Sequence, residues 1–384
     1  MSPRHLIAIS FLALLIACGD APTSTSQDPA PQAATPTLDL DHPANYSRPS
    51  WPVHYDARVL LQDNTPDTNV ITDRGATLGR VLFYDRRLSI NDRVSCATCH
   101  VARQGFANDA KLSIGFDGVA RTKAHAMRLA NVRFYTPRMM FWDRRAPSLE
   151  AQAIQPIMDP VEMGFDPSHG GLDSLLGKVR ALDYYPTLFA YAFGDPAISE
   201  ARIQRALAQF VRGIVSLDSR FDQEFARAYD PMLANRGILK DFAGFTAQEN
   251  RGKLLFILAR ASGGAGCGSC HEVPTFALTG SSRSIGLDEG ETRVFKSPSL
   301  KNVAVTGPYM HDGRFATLAQ VIEHYVNGIQ EGPSLDERLR APENGLPQRL
   351  PLTSADKAAL VSFLKTLTDP TVMADPRFSD PFVP

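Results

Sequence analysis

Charge of one sign is what this sequence most lacks: 40 lysines and arginines stand against 41 aspartates and glutamates, a formal net charge of −1. That balance excludes the strongly basic face of a nucleic-acid-binding protein and gives no sign of a polyanionic substrate. The apolar run near the start is too short to cross a bilayer. Leu6 to Ala17, broken by Ser10, is twelve residues, where a spanning helix needs about 20. Strand signals are few and short, which argues against a sheet-built domain and for a mainly helical protein with long loops. Cysteine is scarce, five residues in 384. The remainder is ordinary for a chain that buries real cores, 43% hydrophobic and 21% charged. At about 150 residues per domain, its length suggests two or three domains.

Arg4 and His5 precede the Leu6–Ala17 run, which is the order of a secretory signal peptide. The run ends in Leu15-Ile16-Ala17-Cys18. This resembles the bacterial lipobox, where the cysteine takes a lipid and becomes the mature N-terminus. The alternative is a buried apolar helix with an incidental cysteine. On the first reading residues 1–17 are removed before Cys18, and acyl chains hold the protein on the periplasmic side of a bacterial membrane. Residues 18–50, rich in Pro, Thr, Ser and Ala, are expected to form a flexible linker.

The other four cysteines fall into two identical patterns, Cys96-Ala97-Thr98-Cys99-His100 and Cys267-Gly268-Ser269-Cys270-His271. C-x-x-C-H is the attachment motif of c-type haem. Two thiols three residues apart add to the two vinyl groups of one porphyrin, and the next residue supplies an imidazole beneath the iron. A Cys₄ zinc site leaves both histidines unexplained. Two disulfides are allowed in an oxidising compartment, although C-x-x-C disulfides are usually redox-active. Two such motifs in an exported chain, with no cysteine left over, point to two covalent haems.

A weak repeat surrounds the motifs. Gly79-Arg80-Val81-Leu82-Phe83 begins 17 residues before Cys96, and Gly252-Lys253-Leu254-Leu255-Phe256 begins 15 before Cys267. Each reads as a short amphipathic helix leading into a haem loop, with a glycine that lets another helix pass close. Thr246 with Glu249 makes a capping box for the second. The crossing partner is expected to be the last helix, capped at Thr353 to Asp356, with Leu360, Val361, Leu364 and Leu367 at helical spacing and Asp369-Pro370 as its stop. That is the cytochrome c layout. A boundary is expected near residues 235–245, after a helical stretch from Ile203 to Val215. It divides an N-terminal haem domain (51–240) from a C-terminal cytochrome c domain (241–384).

Over residues 75 to 370 the sequence resembles the bacterial di-haem cytochrome c peroxidase and MauG superfamily. The segments that carry the likeness are Leu78 to Asp85, Phe141-Trp142-Asp143-Arg144-Arg145-Ala146, Pro160-Val161-Glu162-Met163-Gly164 and Pro308-Tyr309-Met310-His311-Asp312-Gly313. The resemblance implies peroxide chemistry at the first haem, held by Cys96, Cys99 and His100, and electron relay at the second, held by Cys267, Cys270 and His271. It implies Glu162 as the acid–base group, Gln152 in the same pocket, and Trp142 between the haems. Burial beside a haem should raise the Glu162 pKa; by itself a glutamate is usually a solvated surface group. Many relatives close the first iron with a histidine where this chain has Phe116. An open, high-spin first haem that needs no reductive activation is therefore expected, with His125 as the alternative ligand.

At the second haem the position of the family's distal methionine falls on Tyr325, as in MauG-type enzymes. Met310 and His324 are the alternatives, and a tyrosine packed in the core is the plain one. A bridging calcium is doubtful, because the family's asparagine position reads Ala124 or His125 beside carbonyls matching Thr306 and Pro308. Three functions follow. The first is reduction of hydrogen peroxide with electrons from a small cytochrome c or copper protein. The second is MauG-like oxidation of Trp or Tyr in a partner protein. The third is a di-haem electron carrier without catalysis. Homodimers are common in the family.

Overall fold

In the computed structural model, residues 32–382 are described; the expected signal peptide and Cys18 lie outside them. The described chain is mainly helical. Only isolated bridges form, such as Val101 with Ala107 and Tyr309 with Phe315, and no strand is present among the described residues.

Two helix crossings build two cores. Helix α1 (Asp73–Tyr84) crosses α2 (Glu200–Gly213), and α3 (Ala247–Ile257) crosses α4 (Ser354–Lys365). Each start is fixed by a side-chain cap. Thr72 Oγ1 accepts from Gly75 N at 3.0 Å. Thr246 and Glu249 cap each other reciprocally, as do Thr353 and Asp356. The first core gathers Leu82, Phe83, Leu207 and Phe210. The second gathers Leu255, Phe256, Leu360 and Phe363.

The glycines set how closely the helices approach. A Cβ on Gly79 would lie 2.0 Å from the Ala206 carbonyl oxygen, and one on Gly252 would lie 2.0 Å from that of Ala359. The expected pairing of Gly252 with the last long helix is what forms. That helix ends at Lys365, and Asp369 instead caps a further short helix, Pro370–Ala374. Gly252→Val is expected to cost about 3 kcal/mol by forcing the helices apart. Gly177, in the Gly171–Arg180 helix, faces open space. Gly177→Ala should stabilise by about 0.5–1 kcal/mol. Denaturant unfolding of the matured protein checks both signs.

Of the expected linker, residues 18–31 lie outside the described residues, whereas residues 32–50 are docked. Tyr46 is buried in the first core and its Oη donates to Arg377 O at 2.6 Å. Leu38, Leu40 and Ala44 also pack against that core, and Gln32 Nε2 donates to Tyr84 O at 2.7 Å, so the segment is held at several points despite its composition. The end of the chain returns to the same core through Val372, Phe378 and Phe382.

The duplication extends further than the motif helices. Asn131 and Asn302 both take positive φ, 61° and 63°, as do Phe141 and Met310 at 67° and 73°. Ser148 and Thr317 then cap matching short helices. The two copies meet reciprocally: His125 N donates to His311 O, and Lys296 N donates to Trp142 O, both at 2.8 Å. The loops that bear Trp142 and His311 are thereby locked against each other.

Candidate active site

Cys96–Cys99 forms one helical turn, capped by Ser95 and Thr98, and presents both thiols to a cavity at the first crossing. His100 follows, with Nδ1 3.0 Å from the Phe106 carbonyl oxygen. A proton held there leaves the Nε2 lone pair for a metal, the usual way a ligand imidazole is oriented. The cavity spans about 710 Å³ counting its mouth. Phe83, Leu129, Leu207 and Val211 make its walls apolar, and Gln152 and Glu162 are on its lining.

Gln152 comes from the Leu149–Ala153 helix, whereas Glu162 comes from a turn. Asp159 Oδ1 shapes that turn by accepting from Val161 N at 2.8 Å and Glu162 N at 3.1 Å. Burial pushes the Glu162 carboxyl up to about 7, and the Asp159 charge adds to this, against Arg145 and Lys123. The site thus holds a carboxyl poised between its two protonation states near neutrality.

The loop after the first motif is pinned to the same turn. Phe116 N lies 3.1 Å from Glu162 O. A Cβ on Gly115 would sit 1.9 Å from the Val161 carbonyl oxygen. The Phe116 ring packs over Gly164, whose positive φ of 86° and missing side chain make the space, and Ile114 lines the cavity instead. Neither side chain can ligate iron; the exposed Ile114 contributes to the lining and Phe116 does not. His125 lines neither cavity, and its Nδ1 is 3.0 Å from Ala110 O.

The second cavity, about 1380 Å³ counting its mouth, is lined by Cys267, Cys270 and His271. His271 Nδ1 is 3.4 Å from both Phe276 O and Ser297 Oγ, again sparing Nε2. Tyr325 lies in a π turn, His324–Gly328, that continues the Leu318–Glu323 helix, and it lines the void together with Met310. Burial, with the Cys270 and Cys267 thiols, raises the Tyr325 pKa, and Arg128 opposes this. A bound metal ion would reverse that direction. His324 is turned away, with Nε2 2.9 Å from Ile285 O, and is not part of the lining. Trp142 reaches the second cavity, while its Nε1 donates to His125 O at 2.7 Å within the first copy, beside the seam.

These residues fit haem c. All four thiols are free, and the two pairs line separate cavities. One Cys₄ zinc site cannot form from pairs held apart, and no cluster of three or more His, Cys, Asp or Glu able to hold a metal ion occurs among the described residues. Each cavity combines two free thiols and the imidazole that follows them with largely apolar walls, which is the donor set of covalent haem. Three lining residues were given no role from sequence: His311, stacked on Phe295 at 4.4 Å, and the cations Arg128 and Lys296. The repeat about Asn131 and Asn302 is the signal that would have drawn attention to these loops.

Comparison with known proteins bears on the whole chain. The family model described as di-haem cytochrome c peroxidase matches residues 73–230 and 246–343. The methylamine utilization protein MauG of Methylorubrum extorquens is 31% identical, over 94% of this chain and 96% of its own. The cytochrome c551 peroxidase of Nitrosomonas europaea is 31% identical, over 65% of this chain and 71% of its own. A crystal structure of a MauG-like protein associated with microbial copper homeostasis superposes with a TM-score of 0.68 at 32% identity, covering 84% of this chain and 97% of that one. The family implies two c-type haems, one for each thiol pair. With both thiol–histidine motifs inside the matched residues, and a relative aligned over 94% of the chain, this protein belongs to the di-haem cytochrome c peroxidases and is a haem oxidoreductase.

Proposed function

We propose that the protein reduces hydrogen peroxide to water at the first cavity, with electrons entering singly through the second from a small cytochrome c or copper protein. The observation that carries this reading is the joining of Glu162 and Gln152 on the wall that also bears Cys96, Cys99 and His100. Haem c, when bound, supplies electrons and an open coordination position for peroxide. The Glu162 carboxylate takes the proton from one peroxide oxygen and returns it to the other as the O–O bond breaks. Two electrons and two further protons complete the conversion of one peroxide to two waters. Gln152 offers an amide on the same wall to orient the peroxide. Trp142, on the second cavity and bonded to the His125 carbonyl, is suited to carry electrons across the seam. Steady-state oxidation of a reduced small cytochrome c by peroxide tests the proposal. Peroxide consumption without oxidation of any reduced carrier or copper protein would overturn it.

A second reading is favoured by Tyr325 on the second cavity, where a methionine would suit a relay better. In it, peroxide drives oxidation of Trp or Tyr in a partner protein. The relatives named MauG give this reading weight.

For location, we propose a lipid anchor at Cys18 on the periplasmic side of a bacterial membrane, supported by the sequence pattern from Arg4 to Cys18. Cys18→Ala is expected to move the protein from the membrane to the soluble fraction and to abolish incorporation of labelled fatty acid. Membrane retention unchanged by the substitution would refute the anchor.

A further inference from the structure

Two cations line the second cavity without a counter-charge. Arg128 comes from the first copy of the repeat yet lies on this wall, and its Nε donates to Ser299 O. Lys296 is 7% exposed, with Nζ 3.4 Å from Met140 Sδ and 4.7 Å from the Tyr135 ring centre. Among the described residues, neither is in ion-pair range of a carboxylate. The other charged groups on the wall do not help. Asp336 is already taken by Arg338 at 2.7 Å, and Arg283 is exposed and donates to Pro333 O. Burial and the Arg128 charge push Lys296 down to about 7, and burial pushes Arg128 down to about 10.

Burying unpaired cations costs several kcal/mol each unless something negative joins them. The thiol–histidine motif supplies a candidate, because haem c carries two propionate carboxylates. We propose that Arg128 and Lys296 form a carboxylate-binding subsite that holds the propionates of the second haem at the seam between the two copies. The proposal rests on haem c being bound at Cys267, Cys270 and His271.

The pair is particular to the second cavity. In the register set by Asn131 and Asn302, Arg128 corresponds to Ser299, and Lys296 corresponds to His125. His125 lies outside the first cavity's lining. The first haem therefore has no equivalent pair, and the two haems differ in electrostatic surroundings although their attachment motifs match. Cations beside the propionates stabilise the reduced state, which carries one positive charge fewer at the iron. Arg128 is thus a positioning residue through which the first copy sets the potential of the second haem.

Spectroelectrochemical titration of the matured two-haem protein tests this. Arg128→Leu and Lys296→Met are each expected to lower the second haem's midpoint potential enough to shift its electron equilibrium about tenfold, 59 mV for one electron. The first haem should hold its potential, and Arg128→Lys should restore most of the loss. A second haem with normal spectra and unmoved potential in both variants would overturn the subsite alone. Absence of a second haem from the wild-type protein would overturn the underlying reading with it. Should the variants fail to mature, resonance Raman of the wild type decides. A propionate bending band at its strongly hydrogen-bonded position supports the subsite, and one at its solvated position overturns it.

Discussion

Replacing Glu162 by glutamine is expected to lower kcat/KM for hydrogen peroxide by about 10²–10⁴, the usual worth of a positioned acid–base group. Glutamine keeps the volume and a hydrogen-bonding amide, so the cavity built by Phe83, Leu207 and Val211 should persist and both haem absorption bands should stay in place. What is lost is the capacity to accept a proton and return it. The pH profile separates this role from mere shape. Burial and the Asp159 charge lift Glu162 to about 7. Only the carboxylate form can take the first proton, so kcat/KM should rise with pH up to about 7 and level off above it. On the acid side it should fall about tenfold for each unit of pH. Glu162→Gln should remove that limb entirely. Asp159→Asn should both weaken the turn that Asp159 caps and lower the inflection, because a charge that raises the Glu162 pKa is gone. A glutamine variant with wild-type turnover, or one that loses activity yet keeps the limb, would assign the proton transfer elsewhere.

How much of this was readable in the sequence depends on the reach of each interaction. The thiol pairs were legible because attachment geometry is local: three residues set the thiol spacing and the next supplies the imidazole. The crossing of Gly252 with the last long helix was legible from a glycine in a short amphipathic helix, and the capping pairs fixed where those two helices start, whereas the partner of the Gly79 helix was not. Glu162 and Gln152 were visible only through family resemblance. One lies on a helix and the other on a turn set by Asp159, and no periodic pattern says that they share a wall. That Ile114 rather than Phe116 reaches the cavity lining was not legible, because the packing of Gly115 on the Val161 carbonyl fixes how the loop lies. His324 could be separated from Tyr325 on geometry alone. Adjacent helical residues diverge by about 100°, so one cavity cannot readily receive both. Arg128 and Lys296 were missed because an isolated basic residue reads as a solvated one. Only the reciprocal hydrogen bonds at the seam bring them to the second cavity.

Swapping Tyr325 for methionine is expected to raise the second haem's potential by a few tenths of a volt, within the roughly 0.8 V that axial ligands command. At 59 mV per tenfold, that is on the order of 10³–10⁵ in the electron equilibrium. The cause is charge. A tyrosinate favours the ferric state, and a neutral thioether favours the ferrous. Methionine is unbranched and adaptable, so it can reach from the same π turn without repacking Ile322 or Leu364, which line the cavity beside it. The functional consequence distinguishes the two readings. A higher potential makes the second haem a readier acceptor from a small cytochrome c, so steady-state peroxide turnover should hold or increase. Oxidation of a partner protein's Trp or Tyr should decline, because a neutral thioether supports oxidation states above ferric less well than a tyrosinate does. Potentiometry of Tyr325→Met beside Tyr325→Phe checks the assignment, because phenylalanine removes the ligand without supplying another. If neither substitution moves the potential, Tyr325 is a wall residue, and Met310, on the same lining with its strained φ of 73°, becomes the ligand to replace.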